Sequence, residues 1–177
     1  MSTSSILIAG FGGQGILFTG KVLAYSGLIS EKEVSWLPSY GPEMRGGTAN
    51  CSIIISNSPV GSPIVSKPDV LIAMNLPSLE KYENAVNKNG YIFYDSSLIN
   101  KDEKIEGVYS FAIPATKLAG DNNLSGLANM IILGKMIKES GILNIDEIKK
   151  GMTKMIPSAK AELLQKNIIA IEIGYNY

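Results

Sequence analysis

Short uninterrupted apolar runs alternate with stretches of helical period through the first two thirds of the chain. The run Ile6-Leu7-Ile8-Ala9 predicts a strand buried on both faces. Residues 16–28 predict a helix with Leu17, Gly20, Ala24 and Leu28 on one side and Gly27 loosening its end. Glu31 and Glu33 fall in the turn that follows, before a second strand over 34–37. Two prolines and three glycines then exclude 38–47 from regular structure. A third strand covers 49–55 and is turned at Asn57-Ser58-Pro59. The connection before it is shorter than the roughly dozen residues a parallel crossover needs, so this strand is antiparallel or distant in an otherwise parallel sheet.

Further strands are expected over 69–74, 91–95 and 108–113, with helices over 79–86 and 115–119 between and after them. The last third turns helical over 124–139, 145–155 and 159–173. Gly120-Asp121-Asn122-Asn123 has the composition of a thiamine diphosphate signature, but there the glycine-aspartate and the asparagines are far apart. Here they are contiguous and form a turn with an asparagine N-cap for the helix from Leu124. Asn129, inside a buried helix, and Asn167 are core amides or interface residues, and Lys149, Lys150 and Lys154 form the solvated face of an amphipathic helix. The whole pattern specifies a single α/β domain over 1–177. Its expected form is a three-layer α/β/α sandwich with a mostly parallel Rossmann-like sheet, an antiparallel element and a helical C-terminal segment.

The connection between the first strand and first helix is Gly10-Phe11-Gly12-Gly13-Gln14-Gly15, in which Gly10, Gly12 and Gly15 satisfy the spacing G-x-G-x-x-G. Glycines let a backbone approach a ligand closely, and the first amides of the following helix direct N–H groups and a positive dipole end at an anion. The same loop also serves as a tight turn that lets a helix pack on a strand. A nicotinamide site further requires an acidic residue at the end of the second strand, and 34–37 exits into Pro38-Ser39-Tyr40. Gly15 is followed by Ile16-Leu17 rather than Lys-Ser or Lys-Thr, which disfavours a nucleoside triphosphatase. In 40–47, Arg45 between glycines either reaches a phosphate or carboxylate bidentately or pairs with Glu43.

Composition narrows the chemistry. Sixteen Lys and Arg balance sixteen Asp and Glu and are scattered, leaving no footprint for nucleic acid or an anionic membrane. No apolar run nears the roughly 20 residues of a bilayer span, and the N-terminus lacks a basic secretory region, so a cytoplasmic protein is expected. With no histidine and one cysteine, a Ser-His-Asp triad or an iron–sulfur cluster cannot be built from this chain, and no metal site or catalytic residue is assigned. Cys51, within Cys51-Ser52-Ile53-Ile54-Ile55, reads as a small buried hydrophobe; as a nucleophile it lacks a base.

Three segments together carry a resemblance. They are Gly10 to Gly15 with Gly20 and Leu23-Ala24; Pro38-Ser39-Tyr40-Gly41-Pro42-Glu43-Met44-Arg45-Gly46-Gly47-Thr48-Ala49; and Ile55-Ser56 with Ser62-Pro63. In these the chain resembles the gamma subunit of 2-oxoacid:ferredoxin oxidoreductases. The resemblance continues through Ala115-Thr116 and Asn129-Met130-Ile131-Ile132-Leu133-Gly134 to Asn167, Ala170 and Gly174. The variant Trp36-Leu37-Pro38-Ser39-Tyr40 is most similar to members acting on 2-oxoglutarate, the favoured substrate, or on branched-chain 2-oxoacids.

The resemblance implies a complex that oxidatively decarboxylates a 2-oxoacid, reduces ferredoxin and forms an acyl-coenzyme A. It implies thiamine diphosphate and magnesium held between alpha and beta subunits, and iron–sulfur clusters in beta or a ferredoxin-like delta subunit. It also implies a gamma chain inactive alone. Single-chain relatives use the corresponding glycine loop for coenzyme A, which maps that role onto Gly10, Gly12, Gly13, Gln14 and Gly15, with Arg45 as a further contact. The competing readings are a self-sufficient Rossmann-type nicotinamide or flavin enzyme and a purely structural assembly subunit.

Overall fold

The computed structural model describes residues 3–39, 49–101 and 105–177. Six strands form one sheet: β1 (Thr3–Gly10), β2 (Glu33–Ser39), β3 (Ala49–Ser56), β4 (Val70–Ala73), β5 (Tyr91–Asp95) and β6 (Tyr109–Ile113). Their order is β2-β3-β1-β4-β5-β6. β1, β4, β5 and β6 are parallel, whereas β3 runs against both neighbours, with Gly10 opposite Ala49 and Thr3 opposite Ser56. The sheet is therefore mixed, with the antiparallel element where the short connection after β2 forbids a crossover helix.

The helices are α1 (Ile16–Ile29), α2 (Leu76–Tyr82), α3 (Ala115–Asp121), α4 (Ala128–Ser140), α5 (Ile145–Met155) and α6 (Ala161–Asn176). They cover the two faces unequally. Ile6, Ile8, Ile53, Ile72 and Phe93 bury one face against α1 and α4, with α5 packed behind α1 and α6 behind α4. Leu7, Leu71 and Ile92 bury the other against Leu79 of α2 and Ile99. The successive residues 6, 7 and 8 facing alternate layers explain why β1 is apolar throughout.

Five expectations change in detail. β2 continues through Pro38, which lies opposite Cys51; an edge strand has one unpaired side and tolerates the missing N–H. Glu33 opens β2, leaving Glu31, with φ of 57°, in the turn. Gly27 does not loosen α1 but lets it approach β2, since a Cβ there would lie 2.8 Å from Val34 Cγ2. Leu28 points outward, and the buried stripe of α1 runs instead through Ile16, Gly20, Leu23 and Gly27.

The fifth change is the start of α4, at Ala128 rather than Leu124. The asparagines serve the preceding helix: Asn122 donates to Leu118 O from its backbone and, at 2.9 Å, from its side chain, closing α3. Asn123 then turns the chain at φ 57°.

Candidate functional site at the glycine loop

β1 delivers the chain to the glycine loop at the carboxyl end of the parallel strands. Gly13 and Gly15 adopt left-handed conformations, with φ of 91° and 75°, which glycine enters without the Cβ penalty. The N-cap of α1 is Gly15, which offers no side chain, and the first turn holds no acidic residue. The positive end of a 14-residue helix is thus left uncovered beside the exposed Phe11, Gly12 and Gly13.

Gln14 folds back over the loop. Its Oε1 accepts from Phe11 N at 2.7 Å and from Asn75 Nδ2 at 3.2 Å, and its Nε2 donates to Met74 O at 2.9 Å. Gly10 makes room for this, because a Cβ there would lie 2.6 Å from Gln14 Oε1 and 2.9 Å from Met74 Cβ. At the far end of the loop Asn129 on α4 donates from Nδ2 to Gly15 O at 3.2 Å and to Thr19 Oγ1 at 3.0 Å. Any side chain at Gly15 would collide with that amide.

Two cavities flank the loop and share Gly13. One, of about 260 Å³, is walled by Phe11, Gly12, Ile16, Phe18 and Ala49; Ala49 is the first described residue after 40–48. The other, of about 360 Å³, opens between Gln14, Met74, Thr116, Ser125 and Asn129. Asp95, fully buried at the end of β5, shapes the second by accepting from Thr116 Oγ1 at 2.5 Å, Thr116 N at 3.1 Å and Ser97 N at 3.0 Å. Sequence reasoning missed Asp95 and Asn75; the available signal was a polar residue ending or just beyond an apolar strand.

Of the six predicted binding residues the structure brings Gly10, Gly12, Gly13, Gln14 and Gly15 together, whereas Arg45 lies outside the described residues. Asn129 and Asn167 are only half satisfied as core amides. Asn167 donates to Leu163 O at 2.7 Å, but Oδ1 of each is buried without a partner. Lys150 and Lys154 are solvated, whereas Lys149 reaches Glu172 of α6 at 2.6 Å.

Cys51 is fully buried, and burial pushes its thiol up to about 12, with the Trp36 indole N–H a smaller opposing influence. A thiol so protonated is neither nucleophile nor metal ligand. Among the described residues no three His, Cys, Asp or Glu side chains gather as a metal site, and no helix is long and apolar enough to cross a membrane.

The profile of the pyruvate ferredoxin/flavodoxin oxidoreductase family matches residues 5–177. The chain belongs to this family. It is 36% identical over 173 residues to the ketoisovalerate oxidoreductase subunit VorA of Methanothermobacter marburgensis, covering 97% of this chain and 36% of that one. The chain thus spans about a third of the length of that relative. It is 32% identical to the 2-oxoglutarate synthase subunit KorC of Methanocaldococcus jannaschii, covering 96% of this chain and 91% of that one.

The gamma subunit of a keto/oxoacid ferredoxin oxidoreductase from Geobacter sulfurreducens superposes with a TM-score of 0.83 at 25% identity, covering 98% and 96% of the two chains. The 2-oxoglutarate:ferredoxin oxidoreductase of Magnetococcus marinus, solved with 2-oxoglutarate, coenzyme A and succinyl-CoA, has the same fold over 31% of its chain. Its TM-score is 0.88, at 24% identity and 99% coverage of this chain.

Proposed function

We propose that this chain is the gamma subunit of a cytoplasmic 2-oxoacid:ferredoxin oxidoreductase and that its glycine loop contributes to the coenzyme A site. The observation that carries this reading is the uncapped N-terminus of α1 beneath Gly12 and Gly13, in a chain of this family. Coenzyme A offers a pyrophosphate to such a terminus without requiring an acidic ribose clamp, and β2 ends in Pro38-Ser39 with none. The Magnetococcus enzyme, whose chain includes this fold, was solved with coenzyme A bound.

In this reading 1–177 acts as one domain. Gly12 and Gly13 accept the pyrophosphate at the loop, Gly10, Gln14 and Gly15 shape it, and Arg45 is assigned as a further coenzyme A contact. We assign 2-oxoglutarate as the substrate on the variant Trp36-Leu37-Pro38-Ser39-Tyr40 and on the 32% identity to the KorC subunit along nearly its whole length.

The iron–sulfur clusters belong to the beta or delta partner, since one protonated cysteine and no histidine cannot hold them here, and the family resemblance assigns thiamine diphosphate and magnesium to the alpha and beta subunits. Bound there, thiamine diphosphate stabilises the negative charge left at the carbonyl carbon as carbon dioxide departs, and ferredoxin takes the electrons. The gamma chain alone catalyses nothing.

The test is an equilibrium titration of the full chain and the assembled complex with coenzyme A, NAD, NADP and FAD. Coenzyme A should bind the complex in competition with its product. Binding of NAD, NADP or FAD to the chain alone, displaced by substitution at Gly12 or Gly13, would establish the self-sufficient Rossmann enzyme instead.

A further inference from the structure

We infer that Gln14 is a positioning residue: with Asn75 it forms a latch that fixes the glycine loop against the end of β4 and thereby sets the affinity of the loop for its anion. The consequence for coenzyme A rests on the reading above; the latch itself does not. Gln14 Oε1 uses both lone-pair directions, on Phe11 N and Asn75 Nδ2, and Nε2 gives one of its two N–H groups to Met74 O. The amide has one orientation, because Phe11 N can only donate and Met74 O can only accept. One N–H of Nε2 is what this side chain retains for a ligand.

The partner amide ties the loop to the opposite face of the sheet. Asn75, 5% exposed, accepts from Ser78 N at 2.9 Å and so caps α2, while its nitrogen holds Gln14. Met74 N donates to Ala9 O at 2.9 Å, so the latch closes over the last rung of the β1–β4 pair. Gly10 fits the same geometry: a Cβ there would lie 2.6 Å from Gln14 Oε1 and equally close to Ile16 Cδ1. The first glycine and the glutamine are thus a matched pair serving the backbone, and Gly12 and Gly13 are left to meet the anion.

Gln14→Met keeps the side-chain volume and removes the amide. Asn75→Asp keeps the oxygen that caps α2 and replaces the donor to Gln14 with an acceptor. In the full chain without ligand, amide exchange at Phe11 should accelerate about threefold to tenfold in both, the range for losing one hydrogen bond. Gln14→Glu retains an oxygen for Phe11 N and should restore its protection. In the assembled complex the KM for coenzyme A should rise by a similar factor in Gln14→Met and Asn75→Asp, with kcat within about twofold.

Unchanged exchange in folded Gln14→Met overturns the latch. A raised KM in Gln14→Met but not in Asn75→Asp, whose side chain is buried, also overturns it and makes Gln14 a direct ligand contact. Faster exchange with an unmoved KM upholds the hydrogen-bonded latch and overturns its control of affinity, whereas failure of coenzyme A to bind the wild-type complex overturns the reading it rests on.

Discussion

Gly10 and Gly15 lack a side chain because other residues' side chains fill that space: Gln14 and Ile16 at the first and Asn129 at the second. The spacing of the motif revealed a strand, a loop and a helix, but not this division of labour among its glycines. The deciding partners, Met74 and Asn129, lie 60 and 114 residues from the loop residues they bond, and no local pattern announces them. Cys51 was legible as a small buried hydrophobe from its apolar run, and its chemistry follows. Its thiol ionises near 9.0 when exposed and near 12 when folded, so the native state holds its proton more tightly. Its contribution to stability is full below pH 9 and declines as pH rises toward 12, by ~1.4 kcal/mol per pH unit. Urea unfolding at pH 8 to 11 should therefore show wild type losing stability relative to Cys51→Ala only above pH 9. Parallel curves across that range contradict a buried, protonated thiol.

Among the elements, the close crossing of α4 and α6 was the least legible. Apolar periodicity identified both helices, but their backbones touch through Gly134 and Gly174, where a Cβ would strike the carbonyls of Ile171 and Ile131. Backbone cannot yield as a flexible side chain does. Gly134→Ala gains about 1 kcal/mol of helix propensity and loses about 3 kcal/mol to overpacking, a net loss near 2 kcal/mol. Gly120→Ala in α3 has nothing within 4 Å of the new methyl group and should stabilise by up to about 1 kcal/mol. Chemical denaturation of the pair measures the difference, and equal effects would contradict the packing described. The other misread boundaries have local causes: Pro38 is admitted by an edge strand, and Asn122 and Asn123 close α3 rather than open α4.

At the scale of the molecule, β1 sits where the chain first turns one way, through α1 to β2 and β3, and later the other, through β4 to β6. A ligand cleft belongs beyond the carboxyl end of such a switch point, and both cavities lie there. This much was legible from the order of strands and helices. The deep helical layer of α5 and α6 was legible only as a helical segment, because which face it covers depends on contacts with α1 and α4.

Gly12→Val tests most directly the proposal that the glycine loop contributes to the coenzyme A site while decarboxylation belongs to the partner subunits. Gly12 is exposed and is not one of the loop's left-handed glycines, so valine obstructs the anion's approach without the strain it would bring at Gly13 or Gly15. Rapid mixing of the assembled complex separates 2-oxoacid decarboxylation without coenzyme A from acyl-coenzyme A formation. At limiting coenzyme A the variant should decarboxylate at the wild-type rate and form acyl-coenzyme A about tenfold more slowly, with an unchanged melting temperature. Equal losses in both steps, or an unaltered dependence on coenzyme A, would contradict the account.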